Sequence, residues 1–458
     1  MNPDEKTRHF LLRAGFGLSP ADTHSTPSID KLMAKAEASK PIRIVEKADL
    51  EAMKPKGEER KVFFQKAKKQ VLELNGRWVS QLADPSIRVR EKMTLFWHDH
   101  FACRIRAPYL AQQQNNILRE NSLGSFRELL TQVSKDPGML QFLNNQQNKK
   151  NSPNENFARE VLELFTMGRG NYTEQDIKNA ARAFTGWAFN PMTAKFVFRE
   201  KVHDEGPKVF KGKKGNLAGE DILKIVLDDK QTARFITEKL CNYFVFTGKL
   251  DDDFIQELSS SFYASGYNIH SLMKKIFSSD WFYDARFRGN RIKSPIELVA
   301  GMLAQTGGTF ENPQASLFIQ RALSQILFYP PNVGGWPTGT SWIDSSSLTF
   351  RMSLSNLLFK NGETNVEAKD DGDINNVTNT SGSRKLSLNA DWSKLASDFM
   401  KSNFVETLDG IQFYLLARSP TAANRKIVEK FVDTSGNDPE FIKKAFVAFM
   451  SLPEYQLS

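Results

Sequence analysis

The sequence predicts a mainly α fold: a multi-helix globular protein with a small β-hairpin insertion and one long flexible loop. Three observations carry this. Apolar residues recur at steps of three and four over most of the chain. One stretch, "AKFVFREKVHDEGPKVFKGKKGN", instead alternates in short runs broken by Gly and Pro. Another, "NGETNVEAKDDGDINNVTNTSGSRK", is polar, poor in aromatics and too long for an ordinary connection.

At 458 residues, the chain is well beyond the size at which burial outweighs the entropy of ordering. With 40% apolar residues and 35 phenylalanines, it can build an aromatic-rich interior. The net charge of +9 is a modest excess for this length, and the lysines lie on helix faces such as "EERKVFFQKAKKQ". That reads as a solvated face, and with no RNA-recognition motif or zinc finger no nucleic-acid partner is expected. Cys103 and Cys241 fit no CxxC pattern and read as buried small hydrophobes. No run approaches the roughly 20 apolar residues of a membrane span. The opening "MNPDEKTRHFLLRAGFG" lacks a signal peptide's basic start and apolar run, so a cytoplasmic location is expected.

Along the chain, Ala67, Val71, Leu74, Trp78 and Leu82 define the face of a first long helix. In "SIRVREKMTLFWHDHFA", Val89, Met93, Phe96, Trp97 and His100 fall in phase on a second. Helical periodicity continues through "SLGSFRELLTQVSKD", "DILKIVLDDKQTARFITEKLCNYFV", "DDFIQELSSSFYASG" and "PIELVAGMLAQTG". This gives a main helical domain over 1–360 with a β insertion at about 194–216, a flexible polar excursion over 361–390, and a helical segment over 391–458 packing on the main domain. The Asp-rich run in the excursion lacks the spacing and closing glutamate of a calcium loop.

The most informative stretch is "SPNENFAREVLELFTMGRGNYTEQDIKNAARAFTGW". Ser152, Pro153 and Glu155 read as the capped start of a helix, and Thr173 with Asp176 as a second capping box. At about 100° per residue, Phe157, Val161, Leu164 and Phe165 share a buried face, with Glu160 and Glu163 on the stripe beside it. Two carboxylates so placed can hold a metal or serve as acid and base. Equally, Arg159 can pair with Glu163 and Arg182 with Glu160 as a structural network. His98 and His100 diverge by about 200° on a helix and cannot chelate one ion together. His100, in phase with the apolar stripe, is either a core residue or a ligand met by carboxylates from another element. "YPPNVGGWPTGTSWIDSSSLTFR" is a Pro/Gly-shaped loop presenting Trp336 and Trp342, either to stack on a sugar or peptide or to anchor the loop.

Taken in order, "RHFLLRAGFG", "EKMTLFWHDHFA", "NENFAREVLELFTMGRGNYTEQDIKNAARAFTGW", "FVFREKVHDEGPKVFKG", "KSPIELVAGML" and "PPNVGGWPTGTSWI" resemble the bacterial family called domain of unknown function 1800. The resemblance runs from near the amino terminus to about Arg351, and "FMSLPEYQLS" matches the usual ending. Many relatives read "ARELLELHTLG", with histidine where this chain has Phe165, which removes a potential ligand here. The resemblance implies a sulfatase-like partner, from the family called domain of unknown function 1501, and with it co-export to the periplasm as an alternative location.

Two functions remain open at this level. In one, His100, Glu160, Glu163 and His203 hold a divalent metal, while Glu160, Glu163, Arg159, Arg182 and Asp204 act on substrate in a hydrolase-like or ligand-binding cleft. In the other, the same polar groups form a buried network in a non-catalytic binding or scaffold partner.

Overall fold

The computed structural model describes residues 3–25, 27–35, 40–46, 58–360, 362, 386–432 and 438–458. Most of the 361–390 excursion lies outside the described residues. Of its end, Leu388–Asn389 pairs antiparallel with Thr309–Phe310, and Leu386 and Leu388 are buried. The architecture is mainly α, with three two-stranded antiparallel sheets among the described residues. No helix among those residues is long and apolar enough to cross a membrane.

Five helices open the fold: α1 (Pro3–Ala14), α2 (Ile29–Lys35), α3 (Glu58–Leu82), α4 (Arg88–His100) and α5 (Pro108–Asn121). The apolar stripe predicted for α4 is present, but α4 is buried almost all round rather than amphipathic. Its polar residues survive burial because each finds a partner. The Arg88 guanidinium meets Asp22 at 2.7 Å, and Glu91 accepts from Arg119 at 2.7 Å and from the Trp78 indole at 2.9 Å. Lys92 Nζ reaches Glu297 at 2.5 Å, and His98 Nε2 accepts the Phe328 backbone N–H at 3.0 Å. The chain thus wraps a central helix, which ties distant segments to one axis.

After α6 (Phe126–Ser134) and α7 (Pro137–Phe142), the informative stretch begins. Its helix α8 (Asn156–Glu160) starts later than the predicted cap at Ser152. Ser152 pairs instead with Lys149 in an isolated β-bridge, and the Asn148 side chain takes the Asn154 N–H at 2.9 Å, so no box forms there. The helix then widens into a π-helix over Val161–Thr166. In that wider turn the Met167 N–H reaches the Leu162 carbonyl five residues back, at 2.9 Å. The extra residue per turn rotates the face: Leu162 is fully buried and Leu164 only half-buried, the reverse of what a regular helix dictates. The second predicted box is present at the start of α9 (Glu174–Ala183), where Thr173 and Asp176 exchange bonds of 2.9 and 3.1 Å.

Two hairpins follow, the first beginning earlier than expected: β1 (Trp187–Asn190) with β2 (Lys195–Phe198), and β3 (Lys208–Phe210) with β4 (Lys213–Gly215). The second turns through Lys211 and Gly212, both at positive φ (49° and 75°), the twist-compatible geometry of a two-residue hairpin. Helices α10 (Gly219–Asp228), α11 (Lys230–Phe244), α12 (Asp252–Ala264), α13 (Ile269–Ser278) and α14 (Pro295–Thr306) come next. Strand β5 (Thr309–Phe310), α15 (Pro313–Ala322) and α16 (Ser345–Phe359) follow them. Four further helices, Trp392–Phe399, Phe404–Leu415, Ala422–Phe431 and Asp438–Met450, complete the chain, the last packing on α16. One continuous apolar cluster runs from Phe10 to Tyr455.

Candidate functional site

The residues singled out in the sequence fall into three separate arrangements. On the outer side of α8, Arg159 pairs with Glu155 (3.2 Å) and Glu174 (2.8 Å), not with Glu163. Glu155 lies one turn back on the same face, and Glu174 stands across the helix hairpin at the start of α9. Glu163 instead accepts the Tyr172 hydroxyl at 2.6 Å and Arg169 at 2.5 Å, and these partners hold its carboxyl below the usual range. Glu160, half-buried beside it, is pushed upward by burial and by the Glu163 charge. In the second arrangement, Arg182 grips Asp204 through two bonds of 2.7 and 3.2 Å. Burial opposes the charged form of Asp204, but this grip outweighs it and lowers the carboxyl. Arg182 therefore does not neutralise Glu160. His203 joins this group through the Thr185 carbonyl, to which its Nδ1–H donates at 2.8 Å.

His100 makes the third. Its Nε2–H donates to the Phe165 carbonyl at 3.1 Å, satisfying an acceptor at the end of the π-helix. Burial holds the ring neutral down to about pH 3. The Phe165 ring lies 6.2 Å from His100 and 5.2 Å from Phe101, as core. Among the described residues, no three His, Cys, Asp or Glu side chains are grouped so as to hold a metal ion. His100, Glu160, Glu163 and His203 are thus not gathered into one ligand set.

A cavity of about 350 Å³ lies elsewhere, where the end of α4, the middle of α11, the segment before α14 and the Trp336–Trp342 loop converge. Its wall is aromatic: Phe96, Phe235, Tyr243, Trp336 and Trp342. Its polar groups come from four distant stretches, with Asp99, Lys239, Arg291 and Gln325 among them. His100 stands directly behind this wall, stacked 6.0 Å from Phe96 and tilted 6.5 Å from Phe235. His98 stands behind Trp336 at 5.4 Å. Both histidines are therefore supports of the wall, and both tryptophans anchor the loop and line the cavity at once.

Asp99 is the group whose placement is most constrained. The Trp336 N–H donates to its Oδ1 at 2.8 Å. Gly335 makes that approach possible: it sits at φ +85°, and a Cβ there would come within 2.3 Å of Asp99 Oδ1. Burial pushes the Asp99 carboxyl up to about 6, against the pull of the Trp336 N–H and of Lys239. An acid poised near neutrality in an aromatic-walled cleft is suited to give or take a proton.

Behind the cavity, Glu297 acts as a hub. It accepts from the Ser294 backbone N–H (2.6 Å) at the cap of α14, from Lys92 (2.5 Å) and from Arg291 (2.7 Å), whose guanidinium lies 4.7 Å over the Tyr243 ring. The two cations hold Glu297 well below the usual carboxylate range although burial opposes this. Sequence reading missed Asp99 and Arg291, yet both had a signal. Asp99 lies between the two histidines of "FWHDHFA", and Arg291 precedes the helix start in "KSPIELVAGML".

Comparison with known families places the chain. The description "protein of unknown function (DUF1800)" matches residues 9–457. The chain belongs to this family. No curated protein and no solved structure matches it. In this DUF1800 chain the loop "PPNVGGWPTGTSWI" and the helix end "FWHDHFA" are neighbours in space, joined through Asp99 and Trp336.

Proposed function

We propose that this DUF1800 chain binds a small organic ligand in the aromatic-walled cavity and that Asp99 exchanges a proton with it, a hydrolase-like chemistry. The supporting observation is Asp99 itself: a carboxyl raised to about 6, oriented by the Trp336 N–H and facing a cavity with aromatic walls and a few convergent polar groups. This reading replaces the Glu160/Glu163 stripe with Asp99 as the acid–base group. Arg159, Arg182 and Asp204 become supports of the helix hairpin and its β insertion. The test is hydrolysis of chromogenic esters, phosphate esters and glycosides by wild type and Asp99→Asn. Turnover that is lost in the variant supports an enzyme. Absence of turnover across the panel, with ligand binding kept, leaves a binding protein.

The second reading, a non-catalytic partner of a sulfatase-like protein, is supported by the closed pairing of Arg159, Glu163 and Arg182. Such a partner would also carry the chain to the periplasm by co-export. Co-purification of the two chains tests it, and separate elution of both at micromolar concentrations would reject it.

A further inference from the structure

Resting on the proposal that the aromatic-walled cavity is a ligand site, we infer that its ligand is a small organic anion, with the charged group at the Arg291 end and a ring or other apolar body against the tryptophans. Arg291 is buried except for a side-chain surface of about 8%, and it lines the cavity. Behind it lies a set of buried cations with few counter-charges. Arg13, Lys92, Lys293 and Arg351 are all buried, and Glu297 is the carboxylate whose charge bears on all of them and on Arg291. Glu297 contacts two of the five directly. Among the described residues, Arg13 Nε and Nη1 and Arg351 Nη1 have no hydrogen-bond partner, so donors here outnumber acceptors.

Buried like charges that one carboxylate cannot balance create a positive potential, and a cleft with low-dielectric walls focuses it outward. The cavity opens onto that field through Arg291. Exposed Lys239 adds a second cation to the lining, 5.5 Å over the Phe235 ring. The acids that line the cavity are Asp99, which burial keeps protonated up to about pH 6, and the half-buried Glu238. A neutral ligand would leave the Arg291 guanidinium, the one member of the cluster that lines the cavity, facing a charge-free body. An oxyanion on Arg291 completes it, with the charge-assisted geometry that a guanidinium prefers.

The experiment compares two fluorescent probes with one ring system, differing by an anionic group: 8-anilinonaphthalene-1-sulfonate and neutral N-phenyl-1-naphthylamine. The sulfonate should bind about tenfold tighter, the worth of a charge-assisted hydrogen bond. Molar salt should narrow that gap only partly, since the Arg291 end is buried. Arg291→Gln should bring the two affinities together. Lys239→Met, at an exposed position, should narrow them by a smaller factor. Thr338→Trp, also exposed and on the cavity rim, should expel both probes. Equal affinities, or preference for the neutral probe, with Thr338→Trp still excluding both, overturn the anion class and leave the ligand site standing. Binding of neither probe, or binding indifferent to Thr338→Trp, overturns the site itself.

Discussion

Asp99 concentrates what the chain invests in its cavity. Its carboxyl titrates at about 6 in the fold against 3.8 for an ordinary aspartate, so between these values the folded state holds a proton that the unfolded state has lost. Stability from this group is therefore full at low pH and falls as pH rises through that window, whose upper edge burial sets first, opposed by the Trp336 N–H and Lys239 and helped by Glu297. Asp99→Asn keeps an acceptor for Trp336 and removes the charge, and should stabilise the protein by ~1–3 kcal/mol at pH 7 with little gain at pH 4. Urea denaturation at the two pH values measures this, and an equal effect at both would sink it. Sequence reading found the carboxylates of α8 and the π-helix that continues it, because periodicity groups residues of one helix. It could not find the partners: Tyr172 and Arg169 reach Glu163, and Glu174 reaches Arg159, across a loop, and no local pattern encodes that.

Among elements, those with regular periodicity were legible and those shaped by their neighbours were not. Of the α3 stripe, Val71, Leu74, Trp78 and Leu82 are buried as the spacing dictates, and Ala67 is half-buried. The π-helix was not legible, since 3.6-residue spacing and the wider turn differ by one residue and only tertiary contact selects between them. The loop before Trp336 shows the same limit: Pro and Gly mark it as a turn, but not what it approaches. Gly335 is there because backbone must touch Asp99. Gly335→Ala combines a positive φ with that collision and should cost about 1–3 kcal/mol and draw the Trp336 N–H away from the carboxylate. The accompanying readout is the tryptophan emission maximum, expected to shift to longer wavelength as Trp336 becomes wetter. An unchanged spectrum and melting temperature would show that the loop has slack.

At the scale of the whole molecule, the cations behind the cavity impose a pH response of their own. Burial pushes the Lys293 ammonium down to about 7 and the Lys92 ammonium to about 8, below the ordinary 10.5. Between about 7 and 10.5 the unfolded chain binds more protons at Lys293 than the folded one, so stability rises with pH across that range. Lys293→Met should flatten the rise in melting temperature between pH 7 and pH 10, and a slope unchanged by this substitution would place the response elsewhere. No single stretch of sequence carries this cluster, because its members lie on α1, α4, α16 and the segment before α14. That same segment is held by the far end of the described chain: the Lys293 N–H donates to the Gln456 carbonyl at 2.8 Å, the Ser458 N–H to the Arg291 carbonyl at 2.8 Å, and the Arg351 guanidinium to Gln456 at 3.0 Å. A chain emerging from the ribosome can wind α4 and α11 early, but the segment that seats Arg291 stays unclasped until residues 456–458 have left the exit tunnel. Ligand competence thus waits on residues about 165 positions downstream of Arg291, and a nascent chain stalled before residue 456 would carry most of its helices and no finished cavity.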